Sequence, residues 1–214
     1  MLKRINRALI SVADKSNLIQ ILKVLKRYKV EIISSGGTYK TIKKLGFKCI
    51  EVSNFTNSDE MLNGRVKTLH PKVHAGILFD RSSKKQKKQM KKRNYLGIDL
   101  VIVNFYPFQE TISNSRKTQN IIENIDIGGP TMVRTAAKNF RDVTIITEKE
   151  DYSSLISELK NYNGKTSINF REHMSSKAFG LTAYYDSVIS DWFNEKLQIK
   201  FPMRKTFFGK KIDQ

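Results

Sequence analysis

Apolar positions in the first half of the chain switch repeatedly between two periods. Arg7 to Val12 is a short apolar run of strand length. Ser16 to Tyr28 then reads as a helix, with Leu18, Ile19, Ile21, Leu22 and Leu25 largely on one face. Val30 to Ser34 predicts a second strand, Thr38 to Leu45 a short helix stopped by Gly46, and Phe47 to Val52 a third strand. Asp99 to Phe105 is almost unbroken in its apolar character, as expected of a strand covered on both faces of a parallel sheet. Asp142 to Thr147 is a fifth strand. The spacings between these runs leave room for helical crossovers. The expected class is therefore α/β, a Rossmann-like, doubly wound parallel sheet flanked by helices, with a helical C-terminal segment.

That last segment starts near residue 166. Phe170, Met174, Ala178, Leu181, Tyr185, Val188, Ile189 and Trp192 recur every three or four positions, which predicts one long helix with a buried stripe. Residues 1–195 read as one domain and 196–214 as a basic tail or the start of a linker.

Composition narrows the class. At 214 residues and 39% apolar content the chain can bury a substantial core, which excludes a disordered or fibrous protein. One cysteine, Cys49, forms no disulfide within the chain, and no long apolar run offers a membrane span. A cytoplasmic, membrane-free protein is the expectation. Thirty-nine basic against twenty acidic residues leave a formal charge of +19, which favours an anionic partner. The basic residues are 28 lysines and 11 arginines, a bias against base-reading contacts to duplex DNA. Lys84 to Arg93 carries six lysines and an arginine but no interleaved aromatic, and so reads as a solvated surface helix rather than a nucleic-acid platform.

Four polar segments fall where the carboxyl ends of the predicted strands converge, the usual ligand site of an open parallel sheet. Ser35-Gly36-Gly37-Thr38 opens a helix, and its amides fit either a phosphate cradle or a plain capped turn; Ser11 and Lys15 share its rim. Gly64 to Pro71 places Arg65 and Lys67 on one side of an extended stretch beside Thr68, a donor set for a phosphate or an oxyanion. His70 and His74 flank Pro71 without the acidic partner of a metalloprotease helix, so a structural role is expected and no metal. Asn104 and Tyr106 leave the most apolar strand, as catalytic groups or as an aromatic lid. Asp126 precedes Gly128-Gly129-Pro130, with Pro130 fitting the first residue of a helix and Lys138 about two turns further on.

In this order, the segments Ala8 to Lys15, Ser35 to Thr38, Gly64 to Pro71, Asn104 to Phe108 and Asn124 to Pro130, together with Lys177-Ala-Phe179, resemble the IMP cyclohydrolase domain of the bifunctional AICAR transformylase/IMP cyclohydrolase family. The resemblance runs from about residue 7 to 195. It implies a methylglyoxal synthase-like fold, a homodimer, and closure of 5-formamidoimidazole-4-carboxamide ribonucleotide (FAICAR) to inosine monophosphate (IMP) with loss of water. It further implies that Lys67, Tyr106, Asp126 and Lys138 are catalytic and that no cofactor is needed. Ser11, Lys15, Ser35, Gly36, Gly37, Thr38, Arg65, Thr68, Asn104, Gly128 and Gly129 would hold the nucleotide. The family continues into a transformylase domain that these residues do not contain, so that second activity is not expected here. The competing reading is a non-catalytic nucleotide-sensing module of the same fold, which needs the phosphate cradle but not Lys67, Asp126 and Lys138 together.

Overall fold

The computed structural model describes residues 1–105, 108–115, 117–207 and 209. In chain order the elements are β1 (Leu2–Arg4), β2 (Arg7–Val12), α1 (Leu18–Arg27), β3 (Glu31–Ser34), α2 (Gly36–Lys44), β4 (Ile50–Glu51), α3 (Val52–Thr56), α4 (Pro71–Leu78) and α5 (Lys84–Lys92). There follow β5 (Leu100–Asn104), α6 (Phe108–Asn114), α7 (Thr118–Glu123), α8 (Gly128–Lys138), β6 (Thr144–Ile146), α9 (Tyr152–Asn161), β7 (Lys165–Ser167) and α10 (Ile168–Lys196).

The five-stranded sheet has the order β4-β3-β2-β5-β6, and every pairing in it is parallel. From β2 the chain winds outward to β3 and β4, then returns and winds the other way through β5 and β6. Such a reversal puts the two sets of crossovers on opposite faces. α1 packs with α9, whereas α8 packs with α4 and α10 and lies against β5 and β6. The central strands are consequently covered on both sides: Ala8, Leu9, Ile10, Leu100 and Val101 are fully buried. Between β2 and β5 the winding reverses, and loops leaving the two strand ends must diverge there, opening a crevice.

The predicted class and most strands hold, with instructive differences. The third predicted strand shrinks to Ile50–Glu51, because β3 ends at Ser34 opposite Glu51 and offers no further partner; Val52 already begins α3. α2 starts at Gly36 rather than Thr38, and α8 at Gly128 rather than Pro130. The antiparallel pair β1–β7 was not signalled by the sequence, since two three-residue strands carry no readable period. Lys84–Lys92 is the solvated helix expected, buried only at Met90 and capped by the Ser83 hydroxyl, which accepts from Gln86 N.

α10 is anchored at its start by Arg171, which has 0% exposure. Its guanidinium donates to the carbonyls of Phe140 at 2.7 Å and Arg141 at 3.1 Å, and to that of Thr166. The Phe140 and Arg141 carbonyls lie in the turn after α8, outside regular structure, and the guanidinium fork satisfies them together with that of Thr166 in β7. Arg171→Met, which keeps the stem but removes the donors, is expected to lower unfolding stability by about 3 kcal/mol or more. Chemical denaturation checks this.

Candidate functional site

At the carboxyl ends of β2, β3 and β5 lies a cleft of about 680 Å³. Ser11, Lys15, Ser35, Gly36, Gly37, Thr38, Arg65, Lys67, Thr68, Asn104, Asp126, Gly128 and Gly129 all line it. Of the described residues that the resemblance implies for the site, Lys138 stands apart. Lys138 is exposed on the last turn of α8, roughly 15 Å along the helix axis from Gly128, and is absent from the described lining. Tyr106 lies outside the described residues.

The Ser35 side has the geometry of an anion seat. Gly36, Gly37 and Thr38 open α2, so their amides have no acceptor one turn back and face the helix mouth. The Lys15 stem runs past Gly37, close enough to touch a methyl placed there, and its ammonium donates to Ala13 O at 3.0 Å. Thr38 is committed elsewhere. Its buried hydroxyl accepts from Val12 N at 3.1 Å and donates to Val12 O at 3.0 Å, which ties α2 to the end of β2. Asn104 does the same for the loop after β2: its amide oxygen accepts from Ala13 N at 2.6 Å and its amide nitrogen donates to Asp14 O at 3.2 Å. Both residues shape the cradle through the backbone.

Lys67 arrives on a tight reversal in which Met61 and Val66 exchange backbone hydrogen bonds. Leu62, Asn63 and Gly64 all take positive φ within it. Gly64, at φ +85°, also packs against the Lys67 stem: a Cβ there would lie 2.5 Å from Lys67 Cε. The Lys67 ammonium is paired with Glu60 at 2.9 Å. Arg65, largely exposed, pairs with Glu123 on α7 and so fastens the reversal to the opposite rim. Sequence reasoning missed Glu60; an acidic residue seven positions before a lysine carries no signal until the reversal folds them together. Behind the cleft, His70 Nδ1 accepts from Lys72 N at 3.1 Å and caps α4, the structural role expected of it. Among the described residues no cluster of His, Cys, Asp or Glu is placed to hold a metal.

Asp126 faces Lys67 from the α7–α8 side. One carboxylate oxygen accepts from Gly129 N at 2.8 Å, and the residue's own amide donates to the Tyr185 hydroxyl of α10 at 2.8 Å. The amides at the start of α8 are thereby engaged by Asp126, not left open to a ligand as the sequence had implied. Burial pushes the Asp126 carboxyl above its ordinary range, opposed by the amides of Gly129 and Gly128. Gly129 is required by this fit, because a Cβ there would lie 2.3 Å from the carboxylate. A half-buried carboxylate of raised basicity and a cation thus share one cleft beside amides suited to an anion. That arrangement can grip a phosphorylated molecule and move a proton on its far end.

The profile described as "MGS-like domain" matches residues 17–131, and that described as "AICARFT/IMPCHase bienzyme" matches residues 136–214. The bifunctional purine biosynthesis protein PurH of Bradyrhizobium diazoefficiens is 46% identical over 210 residues, covering 98% of this chain and 40% of the relative. PurH of Persephonella marina is 48% identical over 198 residues, covering 92% of this chain and 38% of the relative. The chain thus spans about 40% of the length of such curated relatives. Among solved structures, the crystal structure of ForH superposes with a TM-score of 0.78 at 28% identity, covering 88% of this chain and 96% of that one.

Gly129→Ala is expected to push the Asp126 carboxylate off the amides that hold its pKa down. The carboxyl should then titrate at still higher pH, measurable by carbon-detected NMR; an unchanged titration would contradict the fit.

Proposed function

This chain belongs to the MGS-like domain family, and from that membership we propose that it is an IMP cyclohydrolase, closing FAICAR to IMP with loss of water. The observation that carries the reading is the cleft itself, where Lys67 and Asp126 face a common space next to the α2 anion seat. The names of the bifunctional PurH relatives and the bienzyme profile over residues 136–214 support it. A sensing module would use the anion seat alone and has no use for a half-buried carboxylate of raised basicity.

The substrate carries both reacting groups on one imidazole, so the protein need not collect them. The 5′-phosphate sits on the amides of Gly36 and Gly37, with Ser11, Ser35 and Lys15 around it. This leaves the base near Lys67 and Asp126. A carboxamide nitrogen is a weak nucleophile because its lone pair is delocalised. Asp126 accepts its proton as the nitrogen attacks the formyl carbon, and burial makes this carboxylate a stronger base than an exposed one. The Lys67 ammonium stabilises the oxygen that turns negative as the C–N bond forms. That oxygen departs as water, taking one proton from the carboxamide nitrogen and a second from the formamido nitrogen. Tyr106 and Lys138 belong to the reading through the resemblance. For Lys138, acting on this chemistry requires approach from outside the cleft of its own chain as described.

A homodimer and a cytoplasmic location belong to the same reading. Phe179, Phe193 and Leu197 are left exposed at or near α10, a surface suited to a second copy.

Purified chain mixed with FAICAR should produce the ultraviolet change of purine formation. Lys67→Ala is expected to lose 10²–10³ in kcat, about 3–4 kcal/mol, and Asp126→Asn a comparable amount. The pH profile follows from the sign of the Asp126 shift. The base form is lost on acidification at a higher pH than for an exposed aspartate, so kcat/KM falls through that raised pKa, and the limb disappears in Asp126→Asn. The same shift means that the ionised carboxylate weakens the fold above its pKa. Asp126→Asn should therefore melt no lower than the parent at neutral pH while losing turnover. Parental rates in both variants would overturn the reading.

A further inference from the structure

Asp126 lies in the connection between α7 and α8, and neither helix alone fixes where its carboxylate points. The flanking residue Ile127 is 59% exposed. Ile125 N turns back to Ile122 O, and Ile127 O is used by Thr131 N, so these neighbours serve their own helix ends. Two contacts hold Asp126. Its carboxylate accepts from Gly129 N, and its backbone amide donates to the Tyr185 hydroxyl at 2.8 Å. The second contact spans 59 residues of sequence and comes from the middle of α10.

Tyr185 is built to stay in place. It is 5% exposed, its ring is 5.0 Å from that of Phe105 and 6.1 Å from that of Phe108, and Trp192 packs on Phe108 one layer further on. Phe105 directly follows β5, whose last residue, Asn104, shapes the cleft floor. The phenol oxygen is thus referenced to the sheet and to α10 at once. A backbone amide pinned at one end and a carboxylate pinned at the other leave Asp126 little freedom to rotate.

We infer that Tyr185, which does not line the cleft, is a positioning residue for Asp126: its hydroxyl oxygen, by accepting the Asp126 amide hydrogen, fixes the carboxylate that removes the substrate proton. The inference rests on the cyclohydrolase reading. It adds that the last long helix belongs to the reaction machinery rather than to the scaffold alone.

Tyr185→Phe tests this, since it keeps the ring and removes only the acceptor. The FAICAR assay on the full chain should show kcat lower by roughly tenfold to a hundredfold, the range expected for leaving a buried donor unpaired. KM should stay within about twofold, because the anion seat is untouched. Placed in an Asp126→Asn background, the same change should cause no further loss, because the group it positions is already disabled. Trp192→Phe is the control: it thins the same aromatic cluster without touching Asp126, and should lower the melting temperature with kcat unchanged. Parental kcat in Tyr185→Phe, full additivity with Asp126→Asn, or an equal loss of kcat in Trp192→Phe would each overturn the assignment. If Asp126→Asn itself turned over at the parental rate, the cyclohydrolase reading would fail instead, so the two failures are distinguishable.

Discussion

The site depends on a carboxylate held at the amino end of a helix. Asp126 is half-buried, which disfavours its charge, yet it accepts the amide hydrogens that α8 leaves unpaired at its start. These two effects oppose one another and leave the carboxyl basic but ordered. Fully solvated, it would be a weaker base; deprived of the amides, it would titrate higher still. The glycine at 129 follows from this seat, because any side chain there would collide with the carboxylate.

The rest of the site is arranged by the sheet. Winding reverses between β2 and β5, so the segments after β2, β3 and β5 open a crevice instead of packing over one another. α2 directs its unpaired amides into that crevice, and the 61–66 reversal swings Lys67 over it, with Glu60 as counter-ion. Charge separation across the cleft is thereby built in: the Lys67 cation and the unpaired α2 amides on one wall, the carboxylate on the other. Positive φ angles at the non-glycine residues Leu62 and Asn63 are the local cost of bringing Lys67 in, while Gly64 takes its own without strain. Of the thirty-nine basic residues, six lie on the solvated α5, and none of those six lines the cleft.

Much of this was legible in the chain. The apolar runs at 7–12 and 99–105 predicted the central strands because burial on both faces leaves no room for polar alternation. Segments around Ser35, Lys67 and Asp126 were readable as chemistry because turn residues, cations and hydroxyls cluster there at strand ends. Other features were not legible. The edge strand β4 is shorter than its apolar run, since strand length is set by the partner and not by the sequence alone. Glu60 and Tyr185 meet their partners only through tertiary folding, over 7 and 59 residues, and each looked like an ordinary surface acid or core aromatic. Lys138 was read as a neighbour of Asp126 because both flank one helix, but eleven residues of α8 set them at opposite ends.

The most direct measurement is a crystal structure of this chain with IMP bound. The account predicts the phosphate on the amides of Gly36 and Gly37 beside Lys15, and the newly closed ring between the Lys67 ammonium and the Asp126 carboxylate. A phosphate seated elsewhere, or a purine ring out of reach of either side chain, would contradict it.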